Sequence, residues 1–338
     1  MPAILGMRMF QKAALVCTIV AAAAAAWAQQ PTILIDTDAG SDDLMAIAFL
    51  LSQKDVRIDA ITTANGLAHV DAGARNVARL LELAGRRDVP VFAGRSQPLR
   101  GNAEFPSDWR KIADELPGVT LPPIERRPET RPAADYLIER LKQPDRPVRI
   151  LALGPLTNLA EVLKRAPSSA GAIEEIVIMG GAIRVPGNLA DGDVFHTSNK
   201  TAEWNMFVDP LAARIVFRSG INIRLIALDA TNTVPINAEF LREFESHAGT
   251  PLGRFVAQVL HSDHESIEQG IFYAWDPLAA VALLHPGVVK VSPLHIEIRE
   301  DAPEEGRTLA SPGRPNARVA LQADGAEFRR VFLSAFEQ

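Results

Sequence analysis

Thr32-Ile-Leu-Ile-Asp36-Thr-Asp38-Ala-Gly40-Ser-Asp42-Asp43-Leu-Met-Ala-Ile-Ala-Phe-Leu-Leu51 decides the fold class of this chain. Thr32 to Asp36 is a short apolar run without alternation, which suits a strand covered on both faces. Ser41 to Leu51 is apolar on nearly every side and reads as a largely buried helix. The same order recurs downstream. Val56 to Thr63 predicts a second strand before a helix over Ala72 to Ala84, and Val89 to Ala93 a third. Val148 to Leu153 predicts another, with Pro155-Leu-Thr-Asn158 opening a helix to about Lys164, and Ile173 to Met179 and Ile221 to Leu228 complete the set. Buried strands alternating with helices predict an α/β fold, a single domain built on a mostly parallel, Rossmann-like sheet flanked by helices. Right-handed crossovers bring the strand C-termini to one edge, where ligands sit. Residues 94–131 and 182–202 break the rhythm as long polar loops. Residues 289–321 read as a small β-rich C-terminal addition before a last helix over Ala326 to Phe336.

The junction inside the opening stretch carries four carboxylates in eight residues, Asp36, Asp38, Asp42 and Asp43, with no Lys or Arg within ten residues on either side. Helix capping accounts for one or two acids at a helix start. Four repel one another without a counter-charge, and all-oxygen ligands favour Ca²⁺ or Mg²⁺. Trp275-Asp276-Pro277 precedes another apolar helix and reads either as a second acidic contribution or as an N-cap with proline at the first helical position. Met179-Gly-Gly181, Gly187-Asn188 and Glu203-Trp204-Asn205 are either ordinary loop polarity or groups for gripping vicinal hydroxyls beside a backbone that a ligand can approach.

The chain has 338 residues, 47% hydrophobic and 22% charged, with a formal net charge of −6. Such a composition belongs to a folded chain with a large core. It argues against a nucleic acid polymer as partner, because that binding needs clustered Lys and Arg to displace phosphate counterions. Arg8 and Lys12 precede the apolar run Ala13 to Ala26 and the small-residue exit Ala26-Trp27-Ala28. That order predicts a secretory signal peptide, residues 1–28, an exported and periplasmic product, and no membrane association after cleavage. Residues 29–338 then form the one domain. Cys17, the sole cysteine, falls inside the signal, so a metal in the mature chain is held by oxygen or imidazole.

With these residues in place the sequence resembles the inosine-uridine-preferring nucleoside hydrolase family. DTDAGSDD, LGPLTN at 153–158, MGG with GN and EWN, and WDP at 275–277 stand in that family's order, from about residue 32 to 285. The family usually has Pro where this chain has Ala39. The resemblance implies a tightly held Ca²⁺ and hydrolysis of the N-glycosidic bond of ribonucleosides. By matching position it implies Asp38, Asp43 and Asp276 as side-chain calcium ligands and the Leu153 carbonyl as a backbone ligand. Asp42, Asn188, Glu203 and Asn205 would bind ribose hydroxyls, and Met179 and Asn65 would line the ribose pocket. Asp38 would also be the general base for the attacking water. An oxocarbenium-like transition state suits such an anionic, hydroxyl-gripping surround.

Pyrimidine-accepting members have His where this chain has Trp275. Trp275, Trp204 and Trp109 resemble the purine-specific (inosine-adenosine-guanosine) branch, in which indoles stack on the base; purine ribonucleosides are therefore the expected substrates and a homodimer the expected assembly. A broad-specificity or pyrimidine nucleoside hydrolase is the alternative. A haloacid-dehalogenase-like phosphatase fits Asp42-Asp43 poorly, and a non-catalytic nucleoside-binding protein leaves the acidic quartet without a task. His261-Ser-Asp-His264-Glu265 reads as a polar helix face in a flap over the base rather than a zinc site, and His196 as a residue within reach of the ribose 5′ side.

Overall fold

The computed structural model describes residues 32–142, 147–190 and 195–337. The predicted signal peptide, with Cys17, lies outside the described residues. The opening stretch forms strand β1 (Thr32–Thr37), buried throughout, and helix α1 (Ser41–Ser52). Next come β2 (Ile58–Thr63), α2 (Val70–Leu83), β3 (Val91–Ala93), α3 (Ser107–Glu115), α4 (Ala133–Lys142), β4 (Val148–Ala152), α5 (Thr157–Arg165) and β5 (Ile173–Met179). There follow α6 (Trp204–Val208), α7 (Pro210–Phe217), β6 (Ile223–Ile226), α8 (Leu228–Thr231), α9 (Ala238–His247), α10 (Pro251–Ser262), α11 (His264–Glu268) and α12 (Trp275–Leu284). The chain ends in β7 (Val289–Ile298), β8 (Thr308–Ser311), β9 (Ala317–Ala323) and α13 (Gly325–Ser334).

The strands form a sheet in the order β3-β2-β1-β4-β5-β6-β9-β7-β8. From β3 to β9 all neighbours pair in parallel, and β7 pairs antiparallel with both β9 and β8. The β-rich C-terminal addition is thus joined to the main sheet, because Val319 and Ala320 of β9 are buried beside Leu225 and Ile226 of β6. The chain travels outward from β1 to β3 and then starts again on the other side of β1 with β4. In doubly wound sheets this reversal opens a crevice beyond the strand ends. Asp38 and Leu153 follow the two strands that flank it, and the Leu153 N–H donates to the Asp36 carbonyl at 2.8 Å.

The polar stretch 94–131 contains helix α3, which its pattern does not announce: the buried positions are Arg110 and Ala113 rather than an apolar stripe. Helices α1 and α12 are buried from Asp43 to Leu51 and from Asp276 to Leu283 and pack on each other. Apolar on all sides, they are enclosed by protein. Phe49, Phe244, Phe328, Phe332 and Phe336 fill the same core. Each such ring contributes about 1.5–3 kcal/mol on burial, so the acids at the two helix starts rest on a rigid base. Among the described residues no helix is long and apolar enough to cross a membrane.

Candidate active site

The loops beyond the strand ends enclose a cavity of about 320 Å³. Asp38, Asp42, Asp43, Leu153, Met179, Asn188, Glu203, Trp204, Asn205, Trp275 and Asp276 line it, together with Trp109 from α3. Of the residues that the resemblance assigns to metal, ribose or base, Asn65 alone stands back from this wall. It is buried, and its Oδ1 accepts from Arg110 Nη2 at 2.8 Å.

Side-chain oxygens of Asp42, Asp43 and Asp276 lie within 4.8 Å of one another. Asp43 is tied to the β1–α1 turn, accepting from the Thr37 hydroxyl, from the Asp38 N–H at 3.2 Å and from the Gly40 N–H at 3.1 Å. The turn depends on Ala39, whose φ of +58° is left-handed, a conformation closed to a proline ring. The departure from the usual Pro therefore goes with a different local backbone. Asp38 Oδ2 accepts from the Leu67 N–H at 2.9 Å. One layer below, Asp36 accepts from Thr62 Oγ1 at 2.6 Å and Asn158 Nδ2 at 2.8 Å. Asn158 also donates to the Thr63 carbonyl at 3.0 Å, so the end of LGPLTN laces β1 to β2 beneath the site.

Burial and mutual repulsion dominate the acidities. Burial first, then the Asp43 charge, pushes Asp38 well above the usual carboxylate range. Burial, then Asp43 and Asp42, does the same to Asp276. Burial followed by Asp38 lifts Asp42 to about 7, and burial followed by Asp42 lifts Asp43 to about 6. The capping alternative for Asp276 fails, since the cap of α12 is Ala274 and Asp276 Oδ1 is buried without a hydrogen-bond partner. An orphaned carboxylate oxygen facing two further acids fits a divalent cation held by oxygen.

Beside the acids lies a hydrogen-bonding wall. Glu203 caps α6, its Oε1 accepting from the Asn205 N–H at 2.9 Å and its Oε2 from Met206 at 3.2 Å and Gly181 at 2.9 Å. Gly181 has φ +75°, and a Cβ there would lie 2.7 Å from Thr308 Oγ1, which explains why MGG ends in glycine. Burial raises Glu203 to about 7 against these three N–H bonds. Asn205 Nδ2 donates to the Leu153 carbonyl at 2.8 Å, and Asn188 Oδ1 accepts from the Trp204 N–H at 3.2 Å.

The mouth is aromatic and aliphatic. Trp275 and Trp109 are half-buried, and Leu116, Pro117, Ile112, Ile271 and Phe272 join them. Trp204 is buried and stacks on Phe105 with centroids 4.7 Å apart, so one of its faces is already covered. None of His196, His261 and His264 lines the cavity. His261 pairs with Glu245 at 2.6 Å, and His264 Nδ1 meets the His261 carbonyl at 2.9 Å. The structure adds Ser41, Phe105 and Asp263 to the wall. Asp263 sits between the two histidines in a segment whose imidazoles drew the eye.

Gly66 sets the position of Asp38. A Cβ on Gly66 would lie 2.0 Å from Asp38 Oδ2 and 2.5 Å from its Cβ. Gly66→Ala should displace the carboxylate and lower kcat/KM on a nucleoside by roughly 10²-fold, the scale of a 1 Å misplacement. Activity of wild-type magnitude in a folded variant would show that Asp38 need not sit there.

A buried carboxylate cluster at the switch point, a wall of amides and an apolar mouth define a site for a polyhydroxylated sugar bearing a flat ring. Residues 33–330 match the family described as inosine-uridine preferring nucleoside hydrolase, and the chain belongs to that family. It is 33% identical over 285 residues to "Uridine nucleosidase 1" of Arabidopsis thaliana, covering 83% of this chain and 82% of that protein. Its fold is similar to the plant nucleoside hydrolase PpNRh1, with TM-score 0.79 and 30% identity over 91% of this chain and 99% of the other. It is also similar to the purine-preferring ribonucleoside hydrolase of Gardnerella vaginalis, with TM-score 0.76 and 26% identity over 90% and 98%. The chain is a ribonucleoside N-glycosidase.

Proposed function

We propose that the chain hydrolyses purine ribonucleosides to free base and ribose, with calcium held by Asp38, Asp43, Asp276 and the Leu153 carbonyl. The observation that carries this reading is a carboxylate floor that fits a cation beneath a mouth in which Trp275 takes the place of the histidine expected of pyrimidine-accepting members. The Leu153 carbonyl already accepts from Asn205 and keeps a second lone pair. A bound Ca²⁺ supplies a fixed positive charge that orients sugar hydroxyls and acidifies a nearby water.

The chain's own groups do the rest. Asp42, Asn188, Glu203 and Asn205 hold the ribose hydroxyls, and Asn65, behind them, is fixed by the bond from Arg110 to its side-chain carbonyl. Asp38, steadied by the Leu67 N–H, accepts the proton of the water that adds to C1′. The surrounding carboxylates favour the positive charge that develops on the sugar as the base departs. Trp275 and Trp109 offer indole faces to a base that is gaining a proton, an interaction of about 1–2 kcal/mol.

The 33% identity to a uridine nucleosidase supports a second reading in which uridine is also accepted. Initial rates on inosine, guanosine, uridine and a nucleotide separate the two. The purine reading expects inosine and guanosine to exceed uridine; equal rates favour the second, and phosphate release without base release rejects both. Trp275→Ala should lower kcat/KM for inosine by about 5–30-fold, the equivalent of the lost stacking, and lower that for uridine less. An equal loss on both would remove Trp275 from purine selection.

A further inference from the structure

Asp263 stands between α10 and α11 with its main chain fully engaged. Its N–H donates to the Val259 carbonyl at 3.1 Å, and its own carbonyl accepts from Ile267 at 3.0 Å. Occupying the cap of α11, it makes no side-chain capping bond there. Its carboxylate lines the cavity instead. Ser41, at the start of α1 beside Asp42, lies near that carboxylate and partly offsets the effect of burial on its pKa. Its Oδ2 is buried and has no partner.

The same stretch of chain supplies Ile271, Phe272 and Trp275 to the apolar mouth. Asp263 is therefore a polar point in the compartment that receives the flat ring, and Ser41 and Asp42 join it to the sugar floor. Burial raises its pKa to about 6. An ionised carboxylate is acceptor-only, and a buried acceptor without a donor costs free energy until one arrives. A ring edge that enters beside it meets an acceptor that favours an N–H over a lone pair.

Resting on the nucleoside hydrolase reading, we propose that Asp263 reads the edge of the base and selects 6-oxopurines over adenine. Guanine offers N1–H and an exocyclic amine side by side, and hypoxanthine offers N1–H. Adenine presents a lone pair at N1, which faces the carboxylate oxygen unfavourably. Asp263 is thus a specificity-determining residue, separate from the sugar and water chemistry. Sites built to bond a substrate N–H discriminate strongly against an analogue that lacks it.

The test is kcat/KM for guanosine, inosine, adenosine and 1-methylinosine with wild type and Asp263→Asn. Wild type should prefer inosine to 1-methylinosine and to adenosine by about tenfold or more. Asp263→Asn should lose roughly 10–100-fold on guanosine and inosine and hold or gain on adenosine, because an amide can donate to N1. Equal losses on guanosine and adenosine, or a wild type indifferent to N1 methylation, overturn the assignment of Asp263 while leaving the hydrolase reading intact. The methylated substrate needs no variant, so a poorly folding Asp263→Asn does not protect the proposal. Failure of the wild type to release base from any ribonucleoside overturns the hydrolase reading itself, and this inference with it.

Discussion

Asp38→Asn should reduce kcat on a ribonucleoside by about 10³-fold or more, since a general base alone contributes about 10²–10⁴. Asn has nearly the shape of Asp and can still accept the Leu67 N–H that now bonds Oδ2 at 2.9 Å. What it loses is the capacity to take a proton and one negative charge of the cluster. Those losses have opposite consequences for activity and for stability. Asp38 is held above the usual carboxylate range by burial and then by Asp43, so its removal relieves repulsion on Asp43 and Asp276. With chelator present, the variant should melt at or above the wild-type temperature while its turnover collapses. A mutation that merely damaged the fold would lower both. Turnover above a tenth of wild type would remove Asp38 from the role of base.

The contrast with Asp36 shows why the acidic stretch could be read only in part from sequence. Asp36, Asp38, Asp42 and Asp43 look equivalent as letters, and their number correctly pointed to an acidic site at the sheet edge. Alternation alone would leave Asp36 and Asp38 on one face; the end of β1 at Thr37 separates them, so that Asp36 is bonded by Thr62 and Asn158 beneath the site whereas Asp38, already in the turn, lines the cavity. The fold was legible for the same reason that α1 and α12 are buried: uninterrupted apolar runs leave few arrangements other than strands and helices enclosed on all sides. Helix α3 escaped notice because its buried face is Arg110 and Ala113. Arg110 is kept there by Glu104 at 2.7 Å, six residues before it, and by Asn65 at 2.8 Å, a partner 45 residues away that no local pattern reveals. Asp263 escaped differently. Its place in the cavity wall goes with a side chain that does not cap its own helix, and whether an Asp caps or turns away depends on tertiary packing that no local pattern reveals. Trp204 lines the cavity as its motif suggests, and Phe105 covers one of its faces, a contact that the motif does not reveal.

Removing the divalent cation should abolish turnover, and it should also give stability a pH dependence whose sign is fixed by the acid cluster. In the cation-free protein Asp42 sits at about 7 and Asp43 at about 6, and Asp38 and Asp276 are also raised well above the ordinary 3.8. Between pH 4 and pH 7 the folded cluster keeps protons that the unfolded chain has released. Stability changes with pH in proportion to protons bound unfolded minus protons bound folded, which is negative across this window, so the chelated protein should lose stability as pH rises through it. Glu203 at about 7 and Asp36 at about 6 act in the same direction. A cation reverses the balance by favouring the ionised carboxylates, and its binding releases those protons. Cation at about 1,000 times its Kd adds about 4 kcal/mol, several degrees in Tm for a domain of this size. Thermal melts in chelator and in excess Ca²⁺ at pH 5.0, 6.0, 7.0 and 8.0 should therefore diverge, with the smallest calcium increment at pH 5.0 and the largest at pH 8.0. Chelated melts that hold level or rise from pH 5.0 to pH 7.0 would mean that the folded cluster does not keep its protons, and a calcium increment that is the same at every pH would mean that Asp38, Asp43 and Asp276 do not take up the ion. Magnesium in place of calcium sharpens the result: a buried, many-oxygen cluster suits the larger ion's flexible coordination, so the increment with Mg²⁺ should be smaller at every pH.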